Sequence, residues 1–209
     1  MIKIDPTKLA WEKMAGLIPA IVQHAESGDV LMLGYMNEEA LKITQQTQEL
    51  TFFSRSRNEL WRKGANSGNT MTVQAISTDC DGDSLLIQVL PQGPACHLGF
   101  KTCFQPSINT KISFLSELNN IIKNRANHLN QSSYTAQLLQ SGLARCAQKV
   151  GEEATEVVIA AMKKDKEELI NESADLIYHL LVLLVSCEVD FYQLIDCLRQ
   201  RHTKLTENK

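Results

Sequence analysis

Residues 79–83 read "DCDGD", three carboxylates on alternate positions with a thiol between the first two. Carboxylate oxygens suit Mg²⁺ or Ca²⁺ and a thiolate suits Zn²⁺, so five residues point to two chemistries. A calcium loop opening at Asp79 needs a glycine at its sixth position and a glutamate at its twelfth. Those positions hold Ser84 and Leu90, which excludes it. If the stretch runs extended into "SLLIQVL", its side chains alternate between faces. Asp79, Asp81 and Asp83 then share one face as a Mg²⁺ site, and Cys80 serves a thiolate site on the other.

"GPACHLGFKTCF" supplies Cys96 and Cys103 as partners for Cys80. Three thiols are one short of a closed structural zinc site. Three thiols and a water describe an open, catalytic zinc, whose bound water falls to a pKa of about 7 and becomes a nucleophile. His97 is either the fourth ligand or an acid–base group beside the metal. The plainer alternative is a set of buried cysteines and a solvated acidic turn. Cys146, Cys187 and Cys197 are scattered over helical segments and read as packing residues. Upstream, "SRSRNELWRKGANSGN" places Arg55, Arg57, Arg62 and Lys63 before Ser67, Gly68 and Asn69. Such a loop can cradle a phosphate through cations and amides, with Trp61 free to stack on a base. An ordinary hairpin with a solvated basic face is the alternative.

A second constellation lies in "KVGEEATEVV" and "NESADLIYH". Glu152 and Glu156 are spaced i, i+4, while Glu153/Glu156 and Glu172/Asp175 are spaced i, i+3, so each set projects from one helical face. Charges on amphipathic helices usually face solvent. Here both sets adjoin the most apolar parts of their helices, and a turn near Lys164-Asp165 lets the two helices run antiparallel with the acids level. Carboxylates on facing helices are a common way to hold Mg²⁺ in a bundle, and without cations they repel. Such a site would bind a polyphosphate through Mg²⁺ and orient a water.

The elements that must position these groups change character along the chain. "LIPAIVQHAESGDVLMLGYM" predicts a hairpin about Glu26–Asp29, and "NEEALKITQQTQEL" a helix capped by Asn37. "LTFFSRS", "ELWRKG", "TMTVQAIST" and "SLLIQVL" predict strands. Eight of the ten glycines and four of the five prolines precede residue 100. From Lys111 onward there is no proline, and five segments have helical period and length, with Asp165 and Asp190 as N-caps of the last two. The expectation is two domains joined near residues 105–113: an α+β, mostly antiparallel β domain over 1–110 and an all-α helical bundle over 111–209.

The 209 residues carry a net charge of −3, so no basic surplus suggests nucleic acid or an anionic membrane. The N-terminus lacks a signal-peptide core, and the longest apolar run, "LIYHLLVLLVSCEV", is short for a membrane span. A cytoplasmic protein with reduced cysteines is expected.

The first half resembles phosphoribosyl-AMP cyclohydrolase, whose motifs "VLMLGYMN", "TFFSRSRNELWRKGANSGN", "DCDGD" and "GPACHLGFKTCF" stand here in order. The second half resembles phosphoribosyl-ATP pyrophosphohydrolase through "SSYTAQLLQSG", "QKVGEEATEVVIAA" and "ESADLIYHLLVLL". Together they look like the fused bifunctional enzyme of histidine biosynthesis. The resemblance implies that the second half cleaves phosphoribosyl-ATP to phosphoribosyl-AMP and pyrophosphate, with Mg²⁺ on Glu152, Glu153, Glu156, Glu172 and Asp175. Lys149 and Ser133, Tyr134 and Thr135 would help hold phosphates. It implies that the first half opens the adenine ring at N1–C6, with zinc on Cys80, Cys96 and Cys103 shared across a homodimer interface. Mg²⁺ on Asp79, Asp81 and Asp83 and a catalytic role for His97 also follow from it.

Three rivals are worth stating. A zinc nucleobase deaminase would need His-x-Glu and Pro-Cys-x-x-Cys patterns, and neither is present. The others are a zinc-stabilised domain fused to a housecleaning nucleoside-triphosphate pyrophosphohydrolase, and a non-enzymatic zinc interaction module joined to a helical dimerisation domain.

Overall fold

A computed structural model of the chain describes residues 4–106, 110–128 and 133–207. It divides into two compact units, Met1–Phe114 and Leu115–Lys209.

The first unit is built on the hairpin of β1 (Ile18–His24) and β2 (Val30–Met36), followed by α1 (Glu38–Thr47). Asn37 caps α1, its side chain accepting from the Ala40 N–H at 2.8 Å. A small hairpin, β3 (Thr51–Ser54) and β4 (Glu59–Arg62), precedes the long pair β5 (Met71–Thr78) and β6 (Leu85–Pro91). The main sheet has the order β2-β1-β6-β5, antiparallel except where β1 and β6 run side by side in parallel.

Strand alternation decides which face is dry. Ile18, Ala20 and Val22 of β1 and Leu85, Ile87 and Val89 of β6 are buried with Phe52, Leu41 and Leu50. On the opposite face Leu33, Ile21 and Leu86 stand in one register row across β2, β1 and β6, and all three are exposed.

Extended alternation does not continue through residues 79–83. β5 ends at Thr78, and Asp79–Ser84 form the turn that returns the chain into β6. Asp79 Oδ1 accepts from the backbone N–H groups of Asp83 (3.0 Å) and Ser84 (3.1 Å), and Gly82 takes a left-handed φ of +74°. A short acid that bonds nearby amides competes with the ladder and favours a turn, so the expected division of acids and thiol between two strand faces is wrong.

The second unit comprises α2 (Ser113–Asn127, which straddles the division), α3 (Tyr134–Gln140), α4 (Leu143–Lys163), α5 (Lys166–Ser186) and α6 (Phe191–Glu207). Lys164, in the left-handed region at φ +58°, ends α4. Asp165 then caps α5 by accepting from the Glu167 and Glu168 N–H groups. Asp190 Oδ1 likewise accepts from Tyr192 N–H at the start of α6. Ile122, Leu138, Cys146, Leu181 and Val182 form the core. Of the three cysteines read as packing residues, Cys146 is buried and fits, whereas Cys187, at the C-cap of α5, and Cys197, on α6, are exposed.

By length and composition α5 could cross a membrane, unlike the shorter apolar run within it. Glu172 and Asp175 lie in its middle, however, where carboxylates are costly in a bilayer. Much of its apolar surface, with that of α4, is open: Val158, Ile159, Met162, Ile170 and Ile177 are exposed.

Gly34 lies close against Phe52 of the first core. A Cβ there would lie 2.4 Å from Phe52 Cε1, and Phe52 is fully buried. Gly34→Ala should therefore destabilise the first unit by about 1–3 kcal/mol through overpacking. A urea titration checks it, and an unshifted midpoint would show that Phe52 can yield.

Candidate functional site

In the first unit the β4–β5 connection and the segment after Pro94 enclose a cleft of about 330 Å³. The first segment lines it with Trp61, Lys63, Ser67 and Asn69, and the second with Cys96 and His97. Trp61 is steadied by stacking on Phe52, centroids 5.7 Å apart. The Lys63 ammonium lies 5.9 Å from the Trp61 ring centroid on a largely buried side chain, with no carboxylate partner among the described residues. The loop is fixed by close backbone approach. A Cβ on Gly64 would meet the Asn69 backbone at 2.4 Å, and one on Gly93 would meet Asn69 Oδ1 at 2.3 Å. Of the residues expected to hold substrate, Arg55 and Gly68 do not line the cleft. Arg55 instead lies 3.8 Å over the Tyr35 ring, and Gly68 turns the loop at φ +75°. Arg57, from the same basic run, does line it.

Cys96 sits in a tight turn. Its N–H donates to Phe100 O, Gly99 N–H donates to its carbonyl, and Leu98 N–H donates to Sγ at 3.5 Å. Burial raises the pKa of the Cys103 thiol, the neighbouring Cys96 raises it further, and Lys63 opposes both. Cys96 and Cys103 are therefore adjacent. Cys80 lies exposed in the Asp79–Ser84 turn, and among the described residues no set of three close ligand atoms includes a cysteine.

The turn gathers one ligand atom each from Asp79, Asp81 and Asp83 within 4.8 Å of one another. Lys13 closes on them. Its Nζ pairs with Asp81 and lies 2.5 Å from Asp83 Oδ2, which raises the lysine pKa well above its usual range. The turn is also tied to the N-terminal segment by Ala10 N–H donating to Gly82 O at 2.8 Å.

In the second unit α4 and α5 pack antiparallel and bring Glu153, Glu156 and Glu172 within 4.8 Å. Glu153 is buried, and its carboxyl is held below the usual range chiefly by Lys149, whose Nζ lies 2.5 Å from Oε1. Glu156 is raised, first by desolvation and then by the neighbouring charges of Glu172 and Glu153. Buried His179 lies with Nε2 3.5 Å from the same Glu153 oxygen, and burial lowers its pKa. Glu152 points elsewhere, to Arg145, Gln148 and Lys149, and Asp175 is exposed outside the close set. Ser133 caps α3. Thr135 is fully buried, with Oγ1 accepting from Arg125 at 2.9 Å and 2.7 Å from the Tyr178 hydroxyl. Tyr134 is exposed, its ring edge-on to His179 at 6.1 Å.

Known proteins match in the same two parts. The family model described as Phosphoribosyl-AMP cyclohydrolase matches residues 32–105, and the one described as Phosphoribosyl-ATP pyrophosphohydrolase matches residues 115–202. The histidine biosynthesis bifunctional protein HisIE of Yersinia pestis is 53% identical over 197 residues, which cover 94% of this chain and 96% of the relative. That of Blochmanniella floridana is 52% identical over 198 residues, 92% of each chain. That of Photobacterium profundum is 48% identical over 203 residues, 95% of this chain and 98% of the relative. The chain belongs to the HisIE family. As a HisIE protein it is a bifunctional hydrolase of histidine biosynthesis, with a phosphoribosyl-AMP cyclohydrolase domain followed by a phosphoribosyl-ATP pyrophosphohydrolase domain.

Sequence reasoning did not single out Lys13 or His179. Lys13 is separated from Asp81 by 68 positions, so no local spacing could reveal the pair. His179 was visible only as an interruption in an apolar run. One histidine in a hydrophobic stretch is the signal that could have marked it, because an imidazole buried there needs a polar neighbour.

Crowding of the HisIE carboxylates has a measurable consequence. With divalent ions chelated, Glu156→Gln should raise the melting temperature of the pyrophosphohydrolase unit, because it removes a charge repelled by Glu153 and Glu172. A lowered or unchanged melting temperature in calorimetry would contradict the repulsion.

Proposed function

We propose that the two units act in series: the second releases pyrophosphate from phosphoribosyl-ATP, and the first opens the adenine ring of the product between N1 and C6. Ribosylation at N1 leaves C6 electron-poor, so an acidified water is a sufficient nucleophile there. The observation that carries the ring-opening step is the one cleft that His97 and Cys96 line together with Lys63 and Trp61. Trp61 offers a flat face to the base, while Lys63, Ser67 and Asn69 offer donors to the phosphate. His97, exposed at the rim, is suited to give a proton to the departing N1 nitrogen.

The donor set fits zinc at Cys80, Cys96 and Cys103 if Cys80 comes from a second copy, since Cys96 and Cys103 are adjacent and Cys80 is apart. A zinc ion there supplies Lewis acidity that lowers the pKa of a bound water. The exposed row of Leu33, Ile21 and Leu86 and the open apolar face of α4 and α5 support a homodimer. Asp79, Asp81 and Asp83, and separately Glu153, Glu156 and Glu172, suit Mg²⁺, being all-oxygen sets whose charges need a cation between them. Mg²⁺ at these sets supplies charge neutralisation for phosphates. Glu152 and Asp175 flank the second set, Asp175 one helical turn from Glu172. Lys149 and Tyr134 complete the phosphate-facing side. The cytoplasm, where thiols stay reduced, is the fitting compartment.

Purified protein given phosphoribosyl-ATP should release pyrophosphate and then the ring-opened product, followed as separate signals. Cys96→Ala should lose zinc and ring opening together, and His97→Ala should slow ring opening by about 10²–10⁴-fold. Glu156→Ala should abolish pyrophosphate release alone. Zinc-free Cys96→Ala protein that still opens the ring would refute the zinc role. Cleavage of ordinary deoxynucleoside triphosphates in preference to phosphoribosyl-ATP would favour a housecleaning enzyme instead.

A further inference from the structure

His179 stands out from the groups that the two reactions leave unassigned. It lies on α5, 4% exposed, in edge contact with the stacked rings of Tyr178 (5.1 Å) and Tyr134 (6.1 Å). Its Nδ1 is buried without a hydrogen-bond partner, so the polar chemistry of the ring is concentrated at Nε2. That atom faces Glu153 Oε1 at 3.5 Å. Lys149 reaches the same oxygen at 2.5 Å, but it also serves Glu152 at 3.1 Å and so is divided between two acids. Glu153 is the one buried member of its cluster, and a buried carboxylate needs every orientation constraint its neighbours supply.

We infer that His179 is a positioning residue: together with Lys149 it grips Oε1 of Glu153, so that Oε2 is presented to a divalent cation shared with Glu156 and Glu172. A ligating carboxylate held by an outer hydrogen-bond donor is oriented before the metal arrives, and loss of such a donor weakens binding. Tyr134 and Tyr178, stacked on each other, form an aromatic wall against the ring, and Glu153, Lys149, Asp175 and Glu152 contribute charge around it. Arg125 reaches this wall through Thr135 and the Tyr178 hydroxyl, which braces the aromatic side of the imidazole. The inference depends on the divalent role proposed above for the acid cluster.

The test compares His179→Gln, whose amide keeps a donor near the position of Nε2, with His179→Met, nearly the same size and without one. Both are made in the full chain carrying Asp81→Asn and Asp83→Asn, so that only the second cluster reports. Mn²⁺ is titrated and the free ion followed by electron paramagnetic resonance, with melting temperatures measured alongside. His179→Met should bind Mn²⁺ about 10–100-fold more weakly, and His179→Gln should stay within about threefold of the parent. In the otherwise unaltered chain, His179→Met should raise the Mg²⁺ concentration that half-saturates pyrophosphate release and leave ring opening unchanged. Parent-like Mn²⁺ affinity in His179→Met would overturn the inference, as would equal losses in the two variants at equal melting temperature. If His179→Met does not fold, His179→Gln decides, and a loss of more than tenfold in that variant overturns it. Glu156→Gln serves as the control. If it too keeps parent affinity, the metal role of the cluster fails and the inference falls with it, whereas loss in Glu156→Gln alone refutes His179 specifically.

Discussion

Repulsion among carboxylates is the constraint around which both units are arranged. Acidic oxygens gathered within 4.8 Å would drive their side chains apart in free solution. In the pyrophosphohydrolase unit they stay together because α4 and α5 are fixed antiparallel by the Lys164 turn, the Asp165 cap and the core that Cys146 of α4 shares with Leu181 and Val182 of α5. In the cyclohydrolase unit a six-residue turn achieves the same crowding, with Asp79 bonding the backbone of its own loop. One cluster is built on rigid helices and the other on a capped turn. Each has one lysine beside it.

The two lysines act differently. Lys13 reaches across to two of the three acids of its turn, so that one of the three negative charges is balanced within the chain. Lys149 sits on the same helix as Glu152 and Glu153 and, among the described residues, leaves Glu156 and Glu172 without a paired lysine or arginine; Glu156, raised first by desolvation, is raised further by the charges of Glu172 and Glu153. The first cluster takes its lysine from outside its loop, whereas the second takes its lysine from its own helix.

Much of this was legible in the sequence. Asn37, Asp165 and Asp190 mark helix starts because their short side chains accept amide bonds, and the structure has them doing so. The hairpin at Glu26–Asp29 and the alternation of β1 were equally plain. The i, i+3 spacing of Glu153 and Glu156 placed them on one helical face, and the Lys164 turn brought Glu172 level. Local spacing misled at "DCDGD", where strand alternation was assumed but side-chain bonding of Asp79 to nearby amides produced a turn. It also grouped Glu152 with Glu153, although one faces Arg145 and the other the core. Consecutive positions on a helix differ by about 100°, so neighbours in sequence are rarely neighbours in a site. A tertiary partner such as Lys13 carries no local signature.

The Lys13 contact bears on how sequences of this kind drift. Position 13 lies outside "DCDGD", on an exposed 3₁₀ turn where replacement of a lysine looks harmless. Yet any change there alters the net charge felt by Asp81 and Asp83. Descendants that lose this lysine inherit the same motif with a different electrostatic setting, and substitutions that restore a cation beside the loop would then be favoured elsewhere in the chain. Motif identity alone therefore understates divergence at this site.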